Sequence, residues 1–384
     1  MNAAHDSSIR PLTSLRFLAA LLVFLSHYSG YVYKQAEQPW QAIILEGHAG
    51  VTVFFVLSGF LITLHYLPLI QAGQFSFGDY YLRRGARILP LYWFVLVLSS
   101  LLASLTPFHL FAPVPLVNWT LTQAYFSHLS TSFIVAAWSL TVEVSFYLIA
   151  PIILHFCAVF QDDLRRVFAT LAAWVIGLWV LGLILVWIAQ SSGLNQPYGF
   201  MDSRDFMIHF TIFGRGFNFC WGILLGWLYL KYRDTLWSRA NSAFRASVLF
   251  LVALVGIGLS QIAMNAAGGG YSGWFFNQAV ALFAGFAILS LTNPMSAIAR
   301  LLSQPLPVYL GHISYALFLL QTTTIARGIN FMLLPVLGFF TVPIFYVLMT
   351  LCSAILYQYI ERPSRSVVLK AGARFTPRLR RART

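Results

Sequence analysis

Arg10-Pro-Leu-Thr-Ser-Leu-Arg16-Phe-Leu-Ala-Ala-Leu-Leu-Val-Phe-Leu-Ser-His27 is the first hydrophobic segment of the chain. At about 100° and 1.5 Å per residue, Arg16 and His27 lie within about 20° of each other on one helical face and ~16 Å apart along the axis. A charged residue in the hydrocarbon layer costs at least about 2–3 kcal/mol, so its presence there indicates function. This geometry suits a long ligand that is held at one end and reacts at the other.

The composition indicates a membrane protein. Of the 384 residues, 59% are hydrophobic and 9% are charged, whereas soluble domains have about 25% charged residues. Apolar runs of about 20 residues recur along the chain, which is typical of a polytopic helical membrane protein. We therefore predict an all-α fold with about ten transmembrane helices. The predicted spans cover residues 12–31, 49–70, 88–106, 136–158, 167–189, 207–230, 246–264, 275–293, 307–327 and 336–360.

The basic residues predict the orientation of these spans. The net charge is +13, and 20 of the 24 Lys and Arg residues lie at the two ends of the chain or in alternate connections between spans. This distribution follows the positive-inside rule and places both termini in the cytoplasm. Because the charges cluster between hydrophobic segments, we expect no nucleic-acid partner. We predict a cytoplasmic segment 1–11, a membrane domain 12–363 and a basic cytoplasmic tail 364–384, unstructured and in contact with anionic lipid.

Two connections that are predicted to face outward are long. Residues 107–135 contain three prolines and then a semi-apolar stretch, Val117–Phe126, which predicts a short helix at the membrane interface. Residues 190–206 are polar and are expected to cover an outward-facing site.

His27 is well suited to acid–base chemistry because imidazole titrates near neutral pH. Glu143, in Trp138-Ser-Leu-Thr-Val-Glu143, is predicted at a similar depth, where an unpaired carboxylate would be costly. Pairing the two would remove that cost and orient the base, as the acid does in a hydrolase triad. Two structural alternatives stay open, in which His27 is a packed, hydrogen-bonded residue and Glu143 is satisfied by backbone or water.

The arginines near or within the spans fall into two groups. Arg83, Arg84 and Arg87 precede the third span, where they either set topology or, together with Arg16, bind phosphates through forked hydrogen bonds. Arg215 lies inside the sixth span, and a positive charge at that depth indicates function. It could stabilise a developing oxyanion or pair with the carboxylate of the fourth span. The histidines and cysteines show no metal-ligand spacing, so no metal site is expected.

Several motifs follow one another in a specific order. They are Leu15-Arg16 with His27 at an Arg-x10-His spacing, Val53-Phe-Phe-Val-Leu-Ser-Gly-Phe-Leu-Ile62, Arg84-x-x-Arg87-Ile-x-Pro90-x-Tyr92, Trp138-Ser-Leu-x-x-Glu143-x-x-Phe146-Tyr147, Ile313-Ser-Tyr315 and Glu361-Arg362-Pro363. From about residue 9 to 363, the chain resembles the acyltransferase-3 family of integral membrane acyltransferases.

The resemblance implies O-acylation, commonly O-acetylation, of a carbohydrate or lipid-linked sugar of the cell envelope, by an enzyme of the inner membrane. It implies acyl-CoA as a co-substrate and no bound cofactor. It implies catalytic roles for Arg16 and His27, and Glu143 is expected to join them as the carboxylate that orients His27. Donor binding is expected from Arg16, Arg83, Arg84, Arg87 and Tyr92, and oxyanion or acceptor contacts from Trp138, Arg215 and Tyr315. The chain departs from the family pattern at Asn218 and Gln321, where relatives often have Glu and His.

These expectations combine into one reaction. Acyl-CoA enters from the cytoplasm, its phosphates bind the arginines, and the extended pantetheine arm covers the ~16 Å from Arg16 to His27. His27 then removes the proton of an acceptor hydroxyl, which attacks the thioester. Direct transfer is the simpler form of this step, and a covalent acyl-enzyme is the alternative. The alternative from another class is a transporter or flippase that uses the same buried charges as a relay. A membrane scaffold that binds acyl-CoA without turnover is a third reading.

Overall fold

The computed structural model describes residues 3–29, 38–103, 115–238, 241–268 and 270–372. These residues are almost entirely helical and contain no β-strand, and the isolated bridges among them join Phe126 to Phe200 and Ile134 to Thr323. The α-helices are α1 (Ala3–Ser29), α2 (Pro39–Leu45), α3 (Ala49–Gln71), α4 (Phe77–Ala103), α5 (Leu116–Trp119), α6 (Ala137–Val159), α7 (Leu164–Ser192), α8 (Arg204–Phe210), α9 (Ile212–Leu236), α10 (Ser242–Ala267), α11 (Gly270–Ser290), α12 (Ala297–Leu302), α13 (Pro305–Leu320), α14 (Thr324–Leu337), α15 (Thr341–Leu356) and α16 (Arg362–Gly372).

Eight helices in the described part of the chain are long and apolar enough to cross a membrane, and each overlaps a predicted span. They are Arg10–Ser29, Ala49–Gln71, Phe77–Leu101, Ala137–Val159, Leu164–Ser192, Ser242–Ala267, Ser272–Ser290 and Thr341–Gly372. The other two predicted spans correspond to α9, which carries Arg215 and Asn218 near its start, and to α13, which has 16 residues. The prediction of an all-α polytopic membrane protein is confirmed, and the cytoplasmic placement of the termini stays a prediction.

Helix α4 begins at Phe77, well before the predicted start of the third span at residue 88. The hydroxyl of Ser76 accepts a hydrogen bond from the N–H of Asp79 at 3.4 Å. A capping hydroxyl and an acidic residue in the first turn both stabilise a helix N-terminus. The cluster from Arg83 to Arg87 therefore lies on the helix itself, and the helix fixes the directions in which these side chains leave the backbone.

The expectation of an unstructured tail from residue 364 is wrong for its first part. Helix α16 runs from Arg362 to Gly372 and directly follows a π-helical turn, Tyr357–Glu361. Proline is tolerated in the first turn of a helix because its missing N–H has no partner there. The π-turn also changes the hydrogen-bond register just before Pro363. Residues 373–384 of the predicted tail lie outside the described residues.

The ninth predicted span, 307–327, is two helices. Helix α13 ends at Leu320 and α14 begins at Thr324. The side chain of Thr323 caps α14 by accepting from the N–H of Ala326 at 3.2 Å. The connection Gln321–Thr323 contains neither Gly nor Pro, so no residue type typical of a turn marks this break.

The chain divides into two compact units, and the first comprises Met1–Pro68, Ile153–Leu183 and Phe213–Ser314. Its helices approach closely at two glycines of α3. A Cβ at Gly50 would lie 2.3 Å from the carbonyl oxygen of Ala19, and a Cβ at Gly59 would lie 2.2 Å from that of Phe219. Small residues permit such backbone contact between membrane helices. These contacts hold α3 against both α1 and α9.

The second unit comprises Leu69–Ile152, Ile184–Ile212 and Tyr315–Thr384. Two adjacent tyrosines fasten α4 to α6, because Tyr80 donates to the carbonyl of Tyr147 at 3.0 Å and Tyr81 donates to that of Leu148 at 3.0 Å. About 18 Å farther along α4, Tyr92 is fully buried and donates to the carbonyl of Asn118, in α5, at 2.7 Å. Helix α4 therefore links the predicted cytoplasmic and outer ends of this unit.

The described parts of the two long outer connections pair with each other in this second unit. The N–H of Ser127 donates to the carbonyl of Gly199 at 2.9 Å, and that of Met201 donates to Tyr125 at 2.9 Å. The short helix expected within Val117–Phe126 is observed as the single turn of α5 and a 3-10 turn, Gln123–Tyr125.

Candidate active site

Helix α1 carries both residues of the Arg-x10-His spacing without interruption. His27 lies in its last turn, and both Arg16 and His27 are half-buried. The Nε atom of Arg16 is buried and makes no hydrogen bond within the described part of the chain. The continuity of the helix bears out the ~16 Å axial separation that the spacing implies.

Near the C-terminal end of α1, the first unit holds an imidazole–carboxylate pair that the sequence did not suggest. Glu46 and His48 approach to 3.3 Å, and Asn265 donates to the other oxygen of Glu46 at 3.1 Å. Gly47 packs against the carbonyl of Leu22, which brings this turn beside α1. Burial raises the pKa of Glu46 above its ordinary value of 4.5, and the Asn265 hydrogen bond partly offsets that rise.

Arg215 is buried in the first unit, with 4% of its surface exposed. Its guanidinium donates to the side-chain oxygen of Asn277, which also accepts from Thr52 at 2.8 Å. One turn farther along α9, Asn218 is fully buried, and neither amide atom makes a hydrogen bond within the described residues. Arg215, Asn277 and Thr52 thus form a polar cluster between α3, α9 and α11.

In the second unit, Glu143 of α6 has a defined partner one turn along the same helix. The hydroxyl of Tyr147 donates to the Glu143 carboxylate. The Arg84 guanidinium lies over the Tyr147 ring, 5.6 Å from its centroid, at the distance of a cation–π contact. One buried tyrosine therefore joins a predicted catalytic carboxylate to a predicted donor-site arginine.

Arg87 is the centre of a second set of charges in this unit. It lies within electrostatic range of Glu361 and Arg365, and Arg365 is also within range of Arg84. One carboxylate oxygen of Glu361 is buried and makes no hydrogen bond within the described residues. Tyr315, which donates to the carbonyl of Ile88 at 2.8 Å, lies within electrostatic range of Glu361 and Arg87. The C-terminal helix thus contributes to the arginine cluster.

Three predicted site residues have structural partners. Arg83 forms an ion pair with Asp79 at 2.9 Å, one turn earlier on α4. Tyr92 bonds to α5, as described above. Trp138 packs edge-on against Phe210, with ring centroids 5.0 Å apart. The donor and acceptor roles expected for these three residues stay predictions.

The second unit therefore gathers the predicted residues Arg84, Arg87, Glu143 and Tyr315. The first unit holds Arg16, His27 and Arg215, and the pairing of His27 with Glu143 stays a prediction. The sequence reasoning gave no role to Tyr147 or Arg365. Each follows an acidic residue by four positions, a helical spacing that could have revealed both.

No group of three or more His, Cys, Asp or Glu side chains that could hold a metal ion occurs in the described ranges. The expectation that the protein uses no metal stays a prediction. The cysteines Cys157, Cys220 and Cys352 are free thiols.

Comparison with known proteins finds distant relatives. A Staphylococcus aureus (strain COL) protein, named provisionally as an O-acetyltransferase, is 24% identical over 379 residues, which cover 94% of this chain and 58% of that protein. Nodulation protein 10 of Rhizobium leguminosarum bv. viciae is 25% identical over 265 residues, 61% of this chain and 68% of its own. The chain thus spans little more than half of the S. aureus relative's length. No solved structure matches the chain.

A protein-family match covers most of the chain, far more than any one of the sequence motifs from Leu15-Arg16 to Glu361-Arg362-Pro363. The acyltransferase-3 family, described as an acyltransferase domain, matches residues 11–358. That range includes Arg16, His27, the α4 arginines, Glu143 and Tyr315. The chain is a member of the acyltransferase-3 family.

Proposed function

We propose that this chain is a membrane O-acyltransferase that moves an acyl group from acyl-CoA to a hydroxyl of a cell-envelope carbohydrate. The observation that carries the proposal is that a member of the acyltransferase-3 family holds Arg16 and His27 on one continuous helix. The provisional name of the S. aureus relatives supports acetyl as the transferred group. We place the enzyme in the cytoplasmic membrane, because acyl-CoA is made in the cytoplasm and the basic residues predict cytoplasmic termini.

Donor binding is assigned to Arg16, Arg84 and Arg87. All three are half-buried, so part of each side chain stays open to a ligand. A guanidinium binds phosphate through two parallel hydrogen bonds, and such charge-assisted bonds are about twice as strong as neutral ones. The contact of Arg84 with the Tyr147 ring fixes the position of its guanidinium before the donor arrives.

His27 is proposed as the general base. The acceptor hydroxyl gives its proton to the imidazole while its oxygen attacks the thioester carbon, which forms the new C–O bond. The C–S bond then breaks, and the coenzyme A thiolate takes the proton back from the imidazolium. The reaction neither consumes nor releases a net proton. Arg215 or a backbone N–H would stabilise the oxyanion of the tetrahedral intermediate.

Glu143 is proposed to favour the protonated form of the base and to orient it. Its hydrogen bond from Tyr147 supports this role, because a carboxylate with a fixed hydrogen-bond donor has a fixed orientation. Direct transfer is proposed over an acyl-enzyme, because the sequence offers no clearly activated nucleophile and the free cysteines Cys157 and Cys220 are buried.

The test uses the purified full chain in lipid nanodiscs with radiolabelled acetyl-CoA and a glycolipid extract of the cell envelope. We expect release of free coenzyme A thiol in proportion to label found on the glycolipid. Transport of label without thioester cleavage would indicate a transporter, and binding without turnover would indicate a scaffold, so either result overturns the proposal. Mass spectrometry of envelope glycans from a strain lacking the protein would identify the acceptor as the sugar that loses its acyl group.

A further inference from the structure

Helix α16 lies along α4, the helix that carries the predicted donor-site arginines. The π-turn Tyr357–Glu361 and α16 both contact α4, and Gly372 packs directly against the side chain of Leu82. Arg84 and Arg87 follow Leu82 by ~3 Å and ~8 Å along α4, and Arg365 precedes Gly372 by ~10 Å along α16. Arg365 is also close enough to Arg84 and Arg87 for its charge to interact with both, so the three guanidiniums form one cluster between α4 and α16.

The cluster has more positive than negative charge. The guanidiniums of Arg84, Arg87 and Arg365 are accompanied by the carboxylates of Glu361 and Glu143. Glu143 already accepts from Tyr147. Guanidiniums repel one another at close range, so three in one cluster are stabilised by an added anion. Arg84 and Arg87 are half-buried, whereas Arg365 is exposed, which leaves the cluster open on the side of α16.

We propose that Arg365 is a third phosphate-binding guanidinium of the donor site and binds the nucleotide end of acyl-CoA. This inference rests on the proposed function and adds the C-terminal helix to the site. Glu361 precedes Arg365 by four residues, one helical turn, and is within electrostatic range of it and of Arg87. Its carboxylate offers negative charge to both guanidiniums when no donor is bound.

Arg362 is the matched control, because it is an arginine on the same helix, three residues before Arg365, and its side chain is exposed. Arg362→Gln removes one positive charge from α16, as Arg365→Gln does. An effect of Arg365 through general attraction to the membrane surface would therefore appear equally in both variants.

The experiment compares Arg365→Gln and Arg362→Gln in nanodiscs with two donors, acetyl-CoA and acetyl-pantetheine, which lacks the nucleotide and its phosphates. Loss of one charge-assisted phosphate contact predicts a KM for acetyl-CoA about 10-fold higher in Arg365→Gln and unchanged in Arg362→Gln. Turnover of acetyl-pantetheine by Arg365→Gln should equal that of the wild type, which also shows that the variant is folded. Equal losses with both donors, or equal effects of the two substitutions, would overturn the proposal.

A phosphate could also belong to an anionic lipid. The same KM values are therefore measured in phosphatidylcholine nanodiscs with and without phosphatidylglycerol, and an Arg365 effect confined to the anionic membrane would assign the contact to lipid and refute the donor assignment. Equilibrium binding of coenzyme A to wild type and Arg365→Gln separates this inference from the proposed function. Arg365→Gln should bind coenzyme A about 10-fold more weakly than the wild type, and equal affinities would refute the phosphate contact. A wild type that binds coenzyme A but transfers no acyl group would refute the proposed function alone.

Discussion

The Tyr147 hydroxyl offers a narrow test of the second unit's site, because Tyr147→Phe removes one oxygen and keeps the ring. The ring retains its place under the Arg84 guanidinium, 5.6 Å from the centroid, whereas the Glu143 carboxylate loses its hydrogen-bond donor. A hydrogen bond to a charged group contributes about 1.5–3 kcal/mol. If that bond orients the catalytic carboxylate, kcat should fall by about 10-fold or more, and the KM for acetyl-CoA should stay within about twofold, since the donor-site arginine keeps its contact.

Tyr81→Phe is the matched control for this prediction. Tyr81 also lies on the α4–α6 interface and its hydroxyl donates to a carbonyl of α6, that of Leu148, at 3.0 Å, but it touches no predicted catalytic residue. Steady-state kinetics of both variants and the wild type, with acetyl-CoA and with acceptor varied in turn, give kcat and the two KM values of each protein. Equal kcat values for the two variants, or a rise in donor KM with unchanged kcat in Tyr147→Phe, would refute the role assigned to the Tyr147–Glu143 bond.

Three further predictions address packing, pH and donor binding. Gly59→Ala should lower the melting temperature, because its Cβ would meet backbone and overpacking costs about 1–3 kcal/mol. Gly177→Ala, which has open space around it, is the control, and its free energy of unfolding should equal that of the wild type or exceed it by up to about 1 kcal/mol. Equal shifts of the two variants in a thiol-dye melting assay would contradict this. Because burial raises the pKa of Glu46, the folded chain holds that proton more tightly than the unfolded chain, so the stabilisation is present below pH 4.5 and is lost as the pH rises through the raised pKa. Glu46→Gln should therefore flatten the fall in melting temperature above pH 4.5, and a profile parallel to that of the wild type would count against it. Arg16→Ala and Arg87→Ala should each raise the KM for acetyl-CoA about 10-fold with little change in acceptor KM, and the reverse pattern would reject the donor assignment.

The membrane helices could be predicted from the sequence because burial in lipid demands long apolar runs with internally satisfied backbones. The boundaries were harder, because polar residues at the ends of spans can continue a helix. Helix α4 extends back to Phe77 through a strongly basic stretch, stabilised by the Ser76 cap, and α16 continues through Pro363. Neither cap nor π-turn has a hydropathy signal.

The site was predictable to the extent that one helix defines it. The Arg16 and His27 spacing follows from helical geometry alone, and the structure keeps that helix continuous. The partners of Glu143 and Arg87 depend on which helices pack together, which periodicity does not reveal. The sequence therefore did not suggest Glu361 and Arg365 as neighbours of Arg87, since that proximity depends on tertiary packing. The Glu46–His48 pair is local, but residues two positions apart do not face each other on a helix, and it forms because both lie in the turn between α2 and α3.

In the proposed reaction, the His27 imidazole carries the proton of the acceptor hydroxyl. The most direct measurement is single-turnover transfer from labelled acetyl-CoA by His27→Ala, with His65→Ala as the control, since His65 is an exposed histidine of α3 outside the proposed site. Loss of a general base predicts a rate at least about 100-fold lower for His27→Ala, with His65→Ala at the wild-type rate and both variants binding acetyl-CoA normally. A His27→Ala rate equal to that of His65→Ala would contradict the role of His27 as the general base.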